Sequence, residues 1–336
     1  MAEARQRDSA FDFVKGVLVL LMIVYHVMSI MSTASPAQFR YIRFISGAFI
    51  FVSGFIIGCY FWPAFQRQPG MASLRLVVRG VKLLAIFTAL NILIYATGVG
   101  NIDKMKLASG SYWLHASSIY LIGKDKTSSF FILLPIGYLL IVAPFLLYMI
   151  SFSRKPIALL LLAVALVAAA IPAVTEQSAV LEILLTGTAG LTTGLLINFE
   201  NAAFSDAGIG PLLSLAGLTL AVWLTGRYGD NTAIYTIGIV FVIGLLYDLA
   251  KTVSANTQLG RWTILLGRYS LISYIAQIAL IQAVYRFVVM RRLPLGFPIA
   301  VYCVMVAAVL VAMCLLLELT RLHSTAVDRS YRAIFS

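Results

Sequence analysis

Two titratable side chains, Lys15 and His26, lie within the first long apolar run of the chain, residues 11–31. Such groups are costly at membrane depth and commonly serve proton transfer or the passage of ions and substrates. Eleven residues make about three helical turns, so both side chains face one side of a helix, roughly 16 Å apart. Asp12 falls near the same face, which predicts a polar stripe running from the membrane surface inward. The alternative is a snorkelling lysine and a histidine that hydrogen bonds between helices.

The composition indicates a polytopic membrane protein. Hydrophobic residues make up 61% of the 336 residues, charged residues only 11%, and the mean hydropathy is +0.95. This leaves too little polar surface for a soluble globule and predicts an all-α transmembrane helical bundle, with residues 1–336 forming a single domain. The ten predicted spans are residues 11–31, 44–62, 77–96, 130–150, 157–174, 181–197, 209–224, 233–250, 263–285 and 297–320.

The distribution of positive charge predicts the orientation. With the amino terminus in the cytoplasm, the 25 Lys and Arg residues divide into 15 on the cytoplasmic side and 10 on the other. We therefore expect both termini in the cytoplasm and a multi-pass protein of a cell membrane, the bacterial inner membrane. The net charge of +12 comes from membrane-flanking residues and favours lipid headgroups over nucleic acid as a partner. The three cysteines and three histidines are scattered, so no metal site is expected.

Residues 97–129 form a long polar connection, which this topology places outside the cytoplasm. Trp113 and His115 lie in a mixture of aromatic and polar side chains that could stack on sugar rings and hydrogen bond to hydroxyls. They are weak candidates for binding an acceptor. The alternative is an interfacial aromatic belt with a short surface helix.

Three cations, Arg75, Arg79 and Lys82, recur at i, i+4 and i+7 at the cytoplasmic end of the third predicted span. This spacing places them on one helical stripe. Arginine offers a planar fork for phosphate oxygens and lysine a compact charge, so a nucleotide-bearing cofactor could dock there. The alternative is that these cations only orient the helix in the membrane.

Two further spans carry polar residues among small ones. Ser53 lies beside Gly54 in the second span and could reach an interior partner, although small residues commonly serve helix packing. The ninth span predicts an inward-facing polar stripe, which would line a cavity or tie helices together. The residues of this predicted stripe are Gly267, Ser270, Tyr274 and Gln277.

Taken together, these segments resemble the integral-membrane acyltransferase-3 family, which includes glucan-succinylating enzymes and glycan O-acetyltransferases. Members typically begin with an acidic residue, a cation followed by glycine, and a histidine eleven positions after the cation. Here these are Asp12, Lys15, Gly16 and His26. The other matches are Ser53, Gly54 and Phe55, then Arg79 and Lys82, and finally Gly267, Ser270 and Tyr274. Many members have a histidine near the position of Gln277, and this chain departs from them there. Residues 130–255 carry none of these motifs, and only their hydropathy supports the resemblance.

The resemblance implies transfer of an acyl group, acetyl or succinyl, from cytoplasmic acyl-CoA to a hydroxyl of an extracytoplasmic glycan or lipid-linked sugar. His26 would be the general base, because an imidazole can remove the hydroxyl proton during attack. Asp12 and Lys15 would form an ion pair that orders the entrance or contacts the donor. Acetyl-CoA or succinyl-CoA would be a co-substrate, with no permanently bound cofactor. The implied donor-binding residues are Arg75, Arg79 and Lys82, and the supporting residues are Ser53, Ser270, Tyr274 and Gln277.

Two other classes of protein remain open. A proton-coupled transporter or flippase for an anionic or lipid-linked solute would use the same intramembrane polar residues. The cytoplasmic cation stripe distinguishes the enzyme from the transporter, because an acyl-CoA enzyme requires it and a proton-driven carrier does not. A purely structural membrane subunit fits poorly with the alignment of Lys15 and His26.

Overall fold

The computed structural model describes residues 8–30, 36–42, 44–97, 118–122, 130–175, 178–199, 210–229, 231–253, 257–290 and 299–335. All regular elements in these ranges are helices. The α-helices are α1 (Ser9–Ile30), α2 (Pro36–Ile42), α3 (Phe44–Ile56), α4 (Trp62–Arg67), α5 (Pro69–Thr97), α6 (Leu133–Phe152), α7 (Arg154–Ala170), α8 (Pro172–Thr175), α9 (Ala179–Phe199), α10 (Pro211–Tyr228), α11 (Thr232–Val253), α12 (Gln258–Arg268), α13 (Ser270–Met290), α14 (Ile299–His323) and α15 (Thr325–Phe335). Two π-helical segments, Ile57–Phe61 and Ser118–Ile122, complete the set.

A helix occupies each of the ten predicted spans. In the part of the chain that the structure describes, seven helical segments are long and apolar enough to cross a membrane, and the bent pair α12–α13 would be an eighth. The helix α7 has 17 residues, about 25 Å at ~1.5 Å per residue, and falls short of the ~30 Å hydrocarbon layer. The all-α, polytopic fold is confirmed, while ten crossings and cytoplasmic termini stay predictions.

The chain divides into two compact units. Unit 1 comprises Met1–Ile45, Ile209–Leu218 and Val240–Ser336, and unit 2 comprises Ser46–Gly208 and Thr219–Ile239. Unit 1 therefore contains α1 and α12 to α15, and unit 2 contains α3 to α9. The prediction that residues 1–336 act as a single domain stays a prediction.

Two glycines bring α1 and α12 of unit 1 into backbone contact. A Cβ atom at Gly16 would overlap the carbonyl oxygen of Thr263, and a Cβ atom at Gly267 would overlap the carbonyl oxygen of Asp12. The two contacts run in opposite order along the helices, so α1 and α12 pack antiparallel. Only glycine permits this approach, which explains both glycines of the predicted motifs.

The ninth predicted span is not one continuous helix. It begins with α12 and bends by 93° into α13. Tyr269, at the bend, has φ −104° and ψ 29°. Its N–H donates to Leu265 (3.1 Å) and its carbonyl accepts from Ser273 (2.8 Å), so helical bonding resumes at once. The prediction that Gly267 shares a helical face with the α13 residues is wrong, because the bend places it on a different helix.

The bend at Tyr269 is held by the last two helices of the chain. Arg321 on α14 donates to the Tyr269 hydroxyl (3.0 Å) and to Asp328 of α15 (2.6 Å). The guanidinium also lies 3.9 Å from the ring centroid of Tyr331, in a cation–π contact. Hydrogen bonding from Arg321 lowers the pKa of the Asp328 carboxyl below its usual value. The helix α15 therefore contacts the bend through Arg321 and through the edge-on rings of Tyr331 and Tyr269, 5.6 Å between centroids.

Unit 2 is packed through small residues on α3, the π-helical segment Ile57–Phe61 and α9. A Cβ atom at Gly54, Gly58 or Gly190 would meet backbone atoms of the opposing helix within 3 Å. The prediction that small residues of the second span admit a close neighbour is confirmed. A buried cluster surrounds this contact and includes Ile50, Trp62, Phe65, Leu76, Leu147 and Leu191.

Candidate active site

His26 lies in the second half of α1, half-buried, with its ring edge-on to Tyr25 at 5.3 Å between centroids. Its Nε2 atom is buried and has no hydrogen-bond partner among the residues that the structure describes. Leaving a buried polar atom unpaired costs about 1–3 kcal/mol. A partner for this atom, such as a substrate hydroxyl, would therefore have to come from outside the described residues.

Asp12 and Lys15 form an ion pair within the first turns of α1. The distance between Lys15 Nζ and Asp12 Oδ1 is 2.7 Å, and the side chains are 18% and 4% exposed, respectively. The Asp12 carbonyl is also where Gly267 meets α1, so the pair lies at the crossing of α1 and α12. The expected ion pair is present, and its proposed contact with the donor stays a prediction.

The polar face of α13 is buried in unit 1. Tyr274 is 6% exposed and Gln277 is fully buried, whereas Ser270 is half-buried. Neither the oxygen nor the nitrogen of the Gln277 amide has a hydrogen-bond partner among the described residues. Ser273, on the same helix, bonds instead to Leu266 O (3.4 Å) and is 3.4 Å from the Cys314 sulfur. The amide of Gln277 is thus the exception on this helix.

Apolar contacts connect the polar face of α13 with the part of α1 that carries His26. Ile23 and Val27, which flank His26, belong to one buried cluster with Ile281. Ile281 lies one helical turn beyond Gln277 and on the same side of α13. The fold thus brings His26 and Gln277 onto helices packed in a single cluster.

Within the part of the chain that the structure describes, every buried side-chain polar atom without a partner belongs to unit 1. Besides His26 and Gln277, these atoms are Ser214 Oγ and Asp248 Oδ2. Sequence reasoning missed both. Asp248 was visible as the one carboxylate of the eighth predicted span, 233–250, and an intramembrane carboxylate is a functional signal of the same kind as Lys15. A buried serine gives no such signal.

The three predicted cations lie on α5 in unit 2. The helix begins at Pro69, eight residues before the predicted span, so Arg75, Arg79 and Lys82 follow its first turn. Arg75 and Arg79 are exposed and Lys82 is half-buried. The Arg79 guanidinium lies 5.3 Å from the centroid of the Phe61 ring, in a cation–π contact. The predicted helical spacing of these residues is confirmed, and their role in binding stays a prediction.

A surface cavity of about 470 Å³ opens where α5 begins. Its volume is typical of small-molecule sites. Aromatic rings, polar groups and one guanidinium make up the lining, which consists of Phe65, Gln66, Pro69, Tyr148, Ser151 and Arg154. Both the cavity and the cations of α5 belong to unit 2.

Other predicted site residues are less informative. The Ser53 hydroxyl donates to Phe49 O at 2.8 Å, a bond within its own helix that commits its proton. Trp113 and His115 lie outside the described residues. Among the described residues, no group of three or more His, Cys, Asp or Glu side chains could hold a metal ion.

The apolar helices define a multi-pass membrane protein with polar groups buried among them. A family model described as an acyltransferase domain, acyltransferase family 3, matches residues 8–317. The chain belongs to this family and is a membrane acyltransferase. No match was found among curated proteins or among solved structures. The family assignment favours the enzyme over the transporter and the structural subunit.

Proposed function

We propose that this acyltransferase moves an acetyl or succinyl group from cytoplasmic acyl-CoA to a hydroxyl of an extracytoplasmic glycan or lipid-linked sugar. His26 is the general base. The observation that carries the proposal is the buried Nε2 of His26, which has no partner among the described residues and lies in a chain of acyltransferase family 3.

The chemistry needs a base because a hydroxyl is a weak nucleophile at neutral pH. In the proposed step the acceptor oxygen attacks the thioester carbonyl carbon while its proton passes to Nε2 of His26. The tetrahedral intermediate then expels the CoA thiolate, which takes the proton from the imidazolium. The carbon–sulfur bond breaks, an ester bond forms, and His26 returns to its neutral state. Base assistance of this kind contributes about 10² to 10⁴-fold to a rate.

The phosphates and adenine of the donor are assigned to residues at the start of α5. Arg75, Arg79 and Lys82 offer three cations on one helix for the phosphates of CoA. The cavity at the start of α5 suits the adenine ring, because Phe65 and Tyr148 supply aromatic surface and Arg154 a guanidinium. These features support a nucleotide-bearing donor over a plain acyl carrier. For the acceptor, Trp113 and His115 remain candidates for contacting sugar.

The charge pattern and the helices support a proposed location of the enzyme in the bacterial inner membrane. The membrane-flanking cations support binding to lipid headgroups, and the excess on one side supports cytoplasmic termini. A bacterial inner membrane, with donor inside and glycan outside, fits this arrangement.

The deciding experiment uses the purified full-length protein in detergent with labelled acetyl-CoA or succinyl-CoA and candidate glycans. Transfer of label without sealed vesicles is enzymatic and cannot be transport. His26→Ala should lower the transfer rate by about 10² to 10⁴-fold. The matched control is His323→Ala, because this histidine is exposed and its Nδ1 atom lies 2.8 Å from Leu319 O of its own helix. Full activity in His26→Ala would remove the proposed base.

The donor site is tested separately. Arg79→Gln combined with Lys82→Gln should raise the KM for acyl-CoA at least tenfold and leave the KM for the glycan within about twofold, since each phosphate contact carries charge-assisted bonding. Arg227→Gln combined with Arg329→Gln removes two exposed arginines elsewhere and controls for net charge. Equal effects on donor and acceptor would contradict the assignment.

A further inference from the structure

The side chain of Gln277 is the most unusual polar group of α13. It is 0% exposed, and both atoms of its amide lack a hydrogen-bond partner among the described residues. A primary amide can make up to four hydrogen bonds, and burying one without partners is costly. Leucine or methionine would fill the same volume without this cost. The position therefore has a reason to keep an amide other than stability.

Several other polar side chains of unit 1 have partners. The nearby Ser273 hydroxyl is bonded to Leu266 O, Asp12 is paired with Lys15, and Arg268 is paired with Glu318. These groups are paired within unit 1, whereas the Gln277 amide, like His26 Nε2, has no partner among the described residues. Such an amide is available to a substrate, because it does not have to break a bond to another described residue first.

The location of Gln277 relates it to the base. Ile281, one turn further along the same face of α13, packs in one cluster with Ile23 and Val27, which flank His26 on α1. A base and a neutral hydrogen-bond donor on two packed helices are the two elements that an acyl transfer requires. The base accepts the hydroxyl proton, and the donor stabilises the charge that develops on the carbonyl oxygen.

We propose that Gln277 is a catalytic residue whose side-chain N–H donates to the thioester carbonyl oxygen as the tetrahedral intermediate forms. This inference rests on the proposed function. The acceptor oxygen bonds to the carbonyl carbon, the π electrons of the C=O bond move to oxygen, and the amide of Gln277 stabilises the resulting oxyanion. The C=O bond re-forms as the thiolate leaves, and the proton held by His26 passes to sulfur. A neutral amide suits this task within the membrane, because it adds no charge to the resting enzyme.

The test compares Gln277→Met with Gln282→Met in the full-length enzyme. Methionine keeps the length and removes the donor, and Gln282 is a half-buried glutamine on the same helix. For Gln277→Met we expect kcat to fall by about 10² to 10³-fold, as for other single oxyanion donors, with the KM for acyl-CoA within about threefold. The melting temperature in detergent should stay equal or rise, because an unpaired amide is removed. Gln282→Met should change none of these three quantities.

The outcomes separate this inference from the proposed function. An unchanged kcat in Gln277→Met overturns the role of Gln277 alone. A fall in kcat that accompanies a lower melting temperature shows a structural role and overturns it as well. If the unaltered enzyme shows no transfer that depends on His26, the proposed function fails and this inference fails with it. Gln277→Asn, which keeps a shortened donor, should recover part of the lost kcat and thereby supports hydrogen bonding as the cause.

Discussion

Among the described residues, the two units differ in whether their buried polar groups have hydrogen-bond partners. In unit 2 the described hydroxyls and amides find partners: Thr186 and Thr236 share a hydrogen bond of 3.1 Å, and Asn198 donates to Cys59 O at 2.7 Å. In unit 1 His26 and Gln277 are among the buried groups that have none within the described residues. Unpaired groups lower stability, so among the described residues this cost falls on the unit that contains the proposed base.

Close packing does not distinguish the two units. Gly16 and Gly267 bring backbones together in unit 1 as closely as Gly54 and Gly190 do in unit 2. The difference between the units therefore lies in the pairing of polar atoms and not in the tightness of the helices. Variants that alter only one of these two properties can test the comparison.

The largest effect is expected from the glycine contacts. Gly190→Ala places a methyl group against the Phe51 backbone, and Gly16→Ala places one against Thr263 O. Because backbone cannot rotate aside, each should lower the free energy of unfolding by about 3 kcal/mol or more. Gly70→Ala is the control, since nothing lies within 4 Å of a Cβ at that position. Denaturant titration in detergent measures the effect, and stable Gly190→Ala protein would contradict the packing account.

The next effect is expected at the ion pair of α1. Asp12→Asn leaves Lys15 charged in a site where the carboxylate side chain was only 4% exposed. The free energy of unfolding should fall by about 2–3 kcal/mol, less than for a fully buried pair because Lys15 reaches some solvent. Adding Lys15→Met should recover part of this loss. If the double variant is no more stable than Asp12→Asn, the pair is not coupled.

A smaller effect contrasts paired and unpaired hydroxyls directly. Thr186→Val removes a hydroxyl bonded to Thr236 and should lower the free energy of unfolding by about 0.6 kcal/mol, the usual value for hydrogen bonds between membrane helices. Ser214→Ala removes a fully buried hydroxyl without a described partner and should leave stability equal or higher. If the two variants lose the same free energy of unfolding, the proposed difference between the units is contradicted.

The smallest effect concerns the attachment of α15 and its dependence on pH. Arg321 lowers the pKa of Asp328, so the carboxylate stabilises the folded state above its unfolded pKa, near 3.8. This contribution should disappear as the pH falls through the lower, folded-state pKa. Limited proteolysis of the carboxyl-terminal helix should therefore accelerate below about pH 4 in the unaltered protein. Asp328→Asn should be cleaved faster at neutral pH and show a flatter pH profile.

The sequence predicted the helices well because hydropathy reports directly on membrane burial. It placed a helix at every span, including α1. It also selected His26 as a candidate by the cost of a titratable group in lipid, and the role of this residue stays a prediction. The bend at Tyr269 escaped prediction, since no proline interrupts residues 263–285. The bend depends on Arg321 and Tyr331, which come from distant parts of the chain.

The candidate site also has features that the sequence predicts and features that depend on packing between distant helices. Spacing within one helix revealed the pairing of Asp12 with Lys15, because residues three apart are neighbours on any helix. Whether Gln277 finds a partner could not be read from spacing, because its environment is built by α1 and α14 as well as by its own helix. The family resemblance named the chemistry, and the packing of helices decides which polar groups remain available for it.

The antiparallel contact between α1 and α12 has a consequence for biosynthesis. The helix α1 ends at Ile30 and α12 begins at Gln258, so more than two hundred residues are made between the two partners. At translation rates of about 5–20 residues per second, roughly ten to fifty seconds pass between the synthesis of α1 and that of α12. During that interval Asp12 supplies Lys15 with a counter-ion from the same turn, so the nascent segment inserts without a net intramembrane charge. A pair within one helix can do this, whereas a pair between distant helices could not.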